Sequence, residues 1–415
     1  MPRRRHPNWP LRALGLALLA VLLGYIVLFP AASFQSSSDH ARRTPAWIEA
    51  PSLGEVMRNR AVEGFTVVWF FSIGASIGSF LNVVVYRMPR GVTLIHQASR
   101  CPRCETKIRA TDNLPVVGWL MLRGRCRTCR LPISPRYPLV ELTVGLVFAA
   151  LLGVELATAG GNLPLRETTG PSGLLEILIS PRPDLLRLFC FHVCLLCVLL
   201  GGALMQWDEQ PLPRRFLVFA GLVGLLAPAI WPDLHPVPWR IEQGEGALST
   251  AWLSRIDTGL IGCLAGAALG SVLDRILTPA RRVAVGQRNQ PRIAFGLSIV
   301  GIYLGWQAVI AVAAMAVVLR LVVLRLVSVG SGRAWERLTR SPLWGYLFFA
   351  ALLQMVAWRI TSTWSWWPGP NTALITIAAT IAATIGLAML DRFFLSRFKP
   401  DPLSPPLPHQ GDVEA

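Results

Sequence analysis

Apolar runs of membrane-spanning length recur along this chain, and they leave little choice of fold. A helical span needs roughly 20 predominantly apolar residues. Runs of this kind cover Leu11–Phe34, Phe65–Tyr86, Pro138–Thr158, Leu185–Gln206, Phe216–Trp231, Thr258–Leu277, Leu343–Trp358 and Thr372–Leu390. Of the 415 residues 53% are hydrophobic and only 15% charged, more apolar than an ordinary soluble domain. The expected fold is an all-α polytopic membrane protein.

The formal net charge is +17. A nucleic-acid ligand would explain such an excess, but the positions of the charges argue for topology instead. Basic residues collect at Pro2–Arg12, Arg87–Arg136, Arg214–Arg215, Arg275–Arg292, Arg333–Arg340 and Arg392–Lys399, as cytoplasmic loops of a multi-pass protein do. The run Ile293–Val327 decides the count. As one helix it would put the last two basic segments on opposite sides of the membrane; as two shorter helices broken near Gly305 it puts all of them on one side. About nine to ten transmembrane helices follow, with the N-terminus inside and no nucleic-acid partner. The first span is read as retained, with a cleaved signal peptide as the alternative, because Ala31, Ala32 and Ser33 follow it. The Pro-rich, polar stretch "KPDPLSPPLPHQGDVEA" reads as a disordered tail over residues 399–415.

Four of the eight cysteines form "CPRC" (Cys101, Cys104) and "CRTC" (Cys126, Cys129) in a hydrophilic insert between two spans, about residues 88–137. Two C-x-x-C knuckles can present four thiolates to one tetrahedral zinc. Disulfides or redox-active dithiols are the alternative, and the basic flanks, which place the insert in the reducing cytoplasm, weigh against them. With all four positions taken by sulfur, the zinc would fold the loop and leave no site for a reactive water. Cys190, Cys194 and Cys197, near His192, share one helix face and read as packing, with a metal or redox role as the alternative.

The segments "GASIGSFLNVVVYRMPRG" (Gly74–Gly91), "CPRC", "DNLPVVGWLMLRGRC" (Asp112–Cys126) and "CRLPISPRYPLVELTVGLVF" (Cys129–Phe148) run colinear with the motifs of the bacterial prepilin leader peptidases, and the chain resembles that family. The family comprises polytopic aspartic proteases that also N-methylate the mature pilin. Fainter likeness continues in "QWDEQPLP" (Gln206–Pro213), "IDTGLIGCLAGAALG" (Ile256–Gly270) and "GIYLGWQAVIAV" (Gly301–Val312). On this resemblance, residues 65–160 form the family's N-terminal domain with its zinc insert, and 161–328 a peptidase-like membrane domain. Residues 1–64 and 329–398 are additions. The resemblance also implies S-adenosylmethionine as a cofactor, although no glycine-rich nucleotide loop is present. It implies type IV prepilins or type II secretion pseudopilin precursors as substrates, pilus or secretion assembly proteins as partners, and the bacterial inner membrane as location. For Glu141 it gives a structural or methyl-transfer role, with Arg136 or Arg87 as candidate anchors.

An aspartic mechanism needs two neighbouring carboxylates that share a proton. Aligned without a gap on Leu212–Pro213, the family's first catalytic position falls on Gln206, with Asp208 two residues late. The second belongs to a Gly-x-Gly-Asp motif, and counting back from "GIYLGWQ" finds "QPRI" there, with Ile293 in the acid's place. A displaced dyad of Asp208 and Asp274 is allowed by depth, since both lie near the cytoplasmic boundary. The alternatives are a solvated turn in which Asp208 and Glu209 cap the next helix, and an ion pair of Asp274 with Arg275. Three functions stay open: a divergent peptidase and methyltransferase, a relative that binds prepilins or assembly partners without cutting, or an intermediate that retains methyl transfer alone.

Overall fold

The computed structural model describes residues 52–94, 99–101, 103–166, 173–237, 253–277, 293–328, 343–364 and 374–397. The expected first span with its cleavage alternative, the polar tail, and the basic segments 278–292 and 333–340 lie outside them. Eleven α-helices are described: α1 Leu53–Arg87, α2 Val117–Met121, α3 Arg136–Leu151, α4 Leu174–Ile179, α5 Pro183–Trp207, α6 Arg214–Ile230, α7 Leu253–Leu277, α8 Ile293–Leu304, α9 Trp306–Ser328, α10 Leu343–Ser362 and α11 Leu374–Arg397. Among the described residues, extended pairing is limited to the isolated bridges Arg100 to Lys107 and Arg125 to Pro132.

Seven helices are long and apolar enough to cross a membrane: α1, α3 with its continuation to Leu156, α5, α7, α9, α10 and α11. This is a multi-pass membrane protein. With α6 and the shorter apolar α8 they fill every expected window that the description covers. The break near Gly305 is present between α8 and α9. Gly305 has φ +84°, a left-handed conformation that glycine adopts without a side-chain clash, and it separates a 12-residue helix from a 23-residue one.

Helix α1 begins at Leu53, well before the apolar run at Phe65. The sequence "SLGE" explains the extension. The Ser52 hydroxyl accepts the Glu55 N–H at 3.3 Å, and the Glu55 carboxylate accepts the Ser52 N–H at 2.8 Å, a capping box that starts the helix on polar ground.

The chain divides into two compact units, Met1–Cys197 and Val198–Ala415, with α5 running from one into the other. In the first unit α1 and α3 pack antiparallel, and the Asn82 amide donates to the Tyr137 carbonyl at 3.2 Å across that pair. Phe189 of α5 meets Phe70 and Phe148 edge-on at 5.5 and 5.4 Å. In the second unit α7 and α8 approach backbone to backbone: a Cβ on Gly262 would lie 2.0 Å from the Gly301 carbonyl oxygen. Small residues allow this closeness, which van der Waals packing in a bilayer rewards. Arg320 of α9 and Asp391 of α11 form a buried ion pair at 3.2 Å, the usual way to keep charge inside apolar surroundings.

Candidate functional site

The four insert cysteines come together. Their sulfurs all lie within 4.8 Å of one another, with Cys101 to Cys129 at 3.7 Å and Cys104 to Cys126 at 3.9 Å. Tetrahedral zinc with Zn–S bonds of about 2.3 Å places sulfurs about 3.8 Å apart, whereas a disulfide needs about 2.05 Å. The donor set and its spacing fit a metal such as zinc, and sulfur occupies every position of that tetrahedron.

The two knuckles are built alike. Cys101 donates its N–H to Thr106 O at 3.1 Å and accepts from Glu105 at 2.9 Å; Cys126 donates to Leu131 O at 2.8 Å and accepts from Arg130 at 3.1 Å. In each, the residue after the second cysteine has positive φ, 52° at Glu105 and 61° at Arg130. Such a backbone costs a side-chain-bearing residue about 1 kcal/mol, which the closed metal loop would have to offset.

The thiols hold their protons unevenly. Hydrogen bonds from Thr106 pull Cys104 down to about 6. The backbone N–H of Cys129 lowers Cys126. At Cys129 the N–H of Leu131 pulls downward, but desolvation and the neighbouring sulfurs outweigh it and push the thiol up to about 11. Four sulfurs this close cannot all ionise without a cation among them, and a divalent metal supplies that charge.

The insert is fastened at its second knuckle and at the membrane. The Arg127 guanidinium grips Asp112 with two hydrogen bonds, one of 2.7 Å from Nε, and holds its carboxyl below the usual range. Trp119 Nε1 donates to Ile133 O at 3.0 Å. Glu141 corrects the sequence reading. Its buried carboxylate takes the Val116 N–H at 2.6 Å in place of an arginine. Val116 has φ +60°, which for a β-branched residue is an outlier held only by its surroundings.

The acid positions are organised differently. Helix α5 ends in a Schellman turn: Glu209 N–H bonds Gln206 O at 3.2 Å and Gln210 N–H bonds Met205 O at 2.9 Å, with Glu209 at φ 54°. Asp208 and Glu209 therefore finish α5. They do not cap α6, which starts from Pro213 without a side-chain cap, because the non-helical Gln210–Pro213 stretch intervenes. Asp274 receives the N–H groups of Ile293 and Ala294 at 2.8 and 3.2 Å, so it caps the start of α8. That role was not foreseen for it.

Gln206 accepts the Trp344 N–H through Oε1 at 3.2 Å, at the first turn of α10. The Trp344 indole is fully buried. It lies where a Cβ on Gly202 would be 2.1 Å away and a Cβ on Gly296 3.2 Å away. The surroundings of Gln206 are thus filled by a residue of α10. Nothing in the sequence flags this contact.

His192, noticed beside three cysteines, pairs elsewhere: its Nδ1 lies 2.6 Å from Glu155 Oε1, both side chains fully buried, with Glu155 in a π-helical turn over Leu152–Leu156. Of the three cysteines, Cys190 is exposed and the other two half-buried. S-adenosylmethionine is carried by the resemblance alone, and none of these residues is assigned to it.

Residues 72–154 match the model of the bacterial peptidase A24 N-terminal domain. A prepilin leader peptidase/N-methyltransferase of Klebsiella pneumoniae is 46% identical over 200 residues, 46% of this chain and 75% of that protein. One from Myxococcus xanthus is 51% identical over 85 residues, 20% of this chain and 25% of that protein. A type 4 prepilin-like proteins leader peptide-processing enzyme of Escherichia coli is 35% identical over 175 residues, 37% of this chain and 62% of that protein. The chain thus spans less than two thirds of the last two. No solved structure matches it.

Proposed function

The chain belongs to the prepilin leader peptidase/N-methyltransferase family, and from that premise we propose that it is a bacterial inner-membrane protein that binds prepilin or pseudopilin precursors without cutting them. The zinc insert, held by Cys101, Cys104, Cys126 and Cys129, faces the cytoplasm in this reading, with the family's N-terminal domain as its docking body and assembly proteins as further partners. Zinc there would fix the insert's fold. Cleavage by an aspartic pair requires one carboxylate to activate water and the other, protonated, to assist the leaving amine. A glutamine amide can do neither.

The observation that carries the reading is the contact between Gln206 and Trp344. The first acid position is committed to a helix start, and an indole fills the space beside it. A second reading rests on Asp274, whose carboxylate reaches the Ile293 N–H and so approaches the second acid position in space. There, Asp208 and Asp274 form a displaced dyad in a working peptidase.

Capture distinguishes them. The tagged protein, coexpressed with a precursor bearing its basic leader, is expected to retain the uncut precursor and to release a form made without the leader. Equal capture of both forms, or recovery of cut product alone, contradicts the proposal.

A further inference from the structure

The insert carries apolar side chains that its own fold does not cover. Leu114 is 51% exposed just before α2, and Val117 (49%) and Met121 (64%), four residues apart, share one face of it. Their setting is basic. Arg109 precedes the segment, Arg123 and Arg125 follow it, and all three are exposed. A loop folded in water alone has no use for this pairing of an apolar face and a cationic rim, whereas a bilayer surface selects for it.

The depth of the segment is fixed by a bond. Val116 donates to Glu141, and Glu141 packs beside Gly78, where a Cβ would come within 2.8 Å of its Cα. Glu141 lies five residues into α3 from Arg136, about 7.5 Å along the axis, a depth within the interfacial zone. The segment is therefore drawn down beside the membrane helices and not held out in solvent.

Its backbone suits that place. Val116 N–H is bonded by Glu141, Gly118 N–H by Leu114 O at 2.7 Å, Leu120 N–H by Val116 O at 3.1 Å and Leu122 N–H by Gly118 O at 3.0 Å. Apolar surroundings tolerate backbone only when its polar groups are satisfied internally. The strained Val116 conformation turns its amide toward Glu141 and so sets the depth.

We propose that residues Leu114–Met121 form an interfacial lipid-binding element, with Leu114, Val117 and Met121 in the acyl boundary of the bilayer and Arg123 and Arg125 on the phosphates of anionic lipids. The partner is the membrane surface itself. This does not depend on whether the protein cuts its precursor.

The full-length protein with Met121→p-benzoylphenylalanine, placed in nanodiscs of phosphatidylglycerol or phosphatidylcholine and irradiated, tests it. A covalent phospholipid adduct is expected, enriched for phosphatidylglycerol and reduced about fivefold for each of Arg123→Gln and Arg125→Gln. The same photoprobe at Leu114 repeats the measurement from an independent site. Absence of a lipid adduct from both probes, adducts to the protein's own chain in its place, or an adduct to an added prepilin-like peptide in place of lipid overturns the proposal. So does equal labelling of the two lipids that the arginine substitutions leave unchanged.

Discussion

Compare the cysteine insert with the two acid positions. In the insert, every side chain that the chemistry needs is present and already in register: four sulfurs at tetrahedral spacing, two knuckles with matching backbone hydrogen bonds, and Asp112 clamped by Arg127. In the segments read for the catalytic acids the polar groups sit at helix ends: Gln206 at the start of α10, Asp274 at the start of α8, Asp208 and Glu209 at the end of α5. The contrast has a physical basis. A four-thiolate metal site loses much of its binding energy and its closed geometry when one ligand goes, so it tends to be kept or lost as a unit. A carboxylate pair must be held against its own repulsion, a cost that helix caps do not carry.

The largest effect that would sharpen the comparison is metal removal. Chelation or Cys104→Ser should unfold the insert, on the scale of about 10 kcal/mol for a structural zinc, while the membrane helices stay intact. Metal analysis should read one zinc per wild-type chain, and hydrogen exchange should rise from Ser99 to Ile133 alone. Next is Trp344→Ala, which opens a large cavity beside Gly202 and should cost about 4 kcal/mol in thermal unfolding without touching zinc content. If this variant instead began to cleave a precursor, the acid positions would be blocked and not lost, and the comparison would break. Gln206→Leu removes one helix-start acceptor and should cost about 1 kcal/mol by the same assay. The smallest change is a gain. Glu105→Gly and Arg130→Gly relieve positive-φ backbone in the knuckles, and each should stabilise the metal-loaded insert by about 1 kcal/mol, read as slower exchange.

The insert was legible because its chemistry lies in residue type and short spacing, which survive any arrangement of the rest. The break at Gly305 was legible for a similar reason: the charges on either side demanded it, and a glycine stood where the chain could turn. Glu141 was not. Its partner is a backbone N–H, which every residue but proline has, so the sequence offered arginines in its place. The Gln206 contact with Trp344 joins residues far apart in the chain and involves a main-chain donor, so no local pattern announces it. Asp208 and Glu209 misled through composition: acids ahead of a helix suggest a cap, but the helix they belong to is the one before. There they sit at the negative end of the dipole, which helps explain why the pattern was read forward.

The most direct measurement is leader release by the purified, reconstituted protein, followed by intact mass of a prepilin-like precursor over time. The account predicts that the precursor keeps its full mass, with wild type and the Asp208→Ala and Asp274→Ala variants indistinguishable. Release of the leader by wild type that disappears in either alanine variant would contradict it.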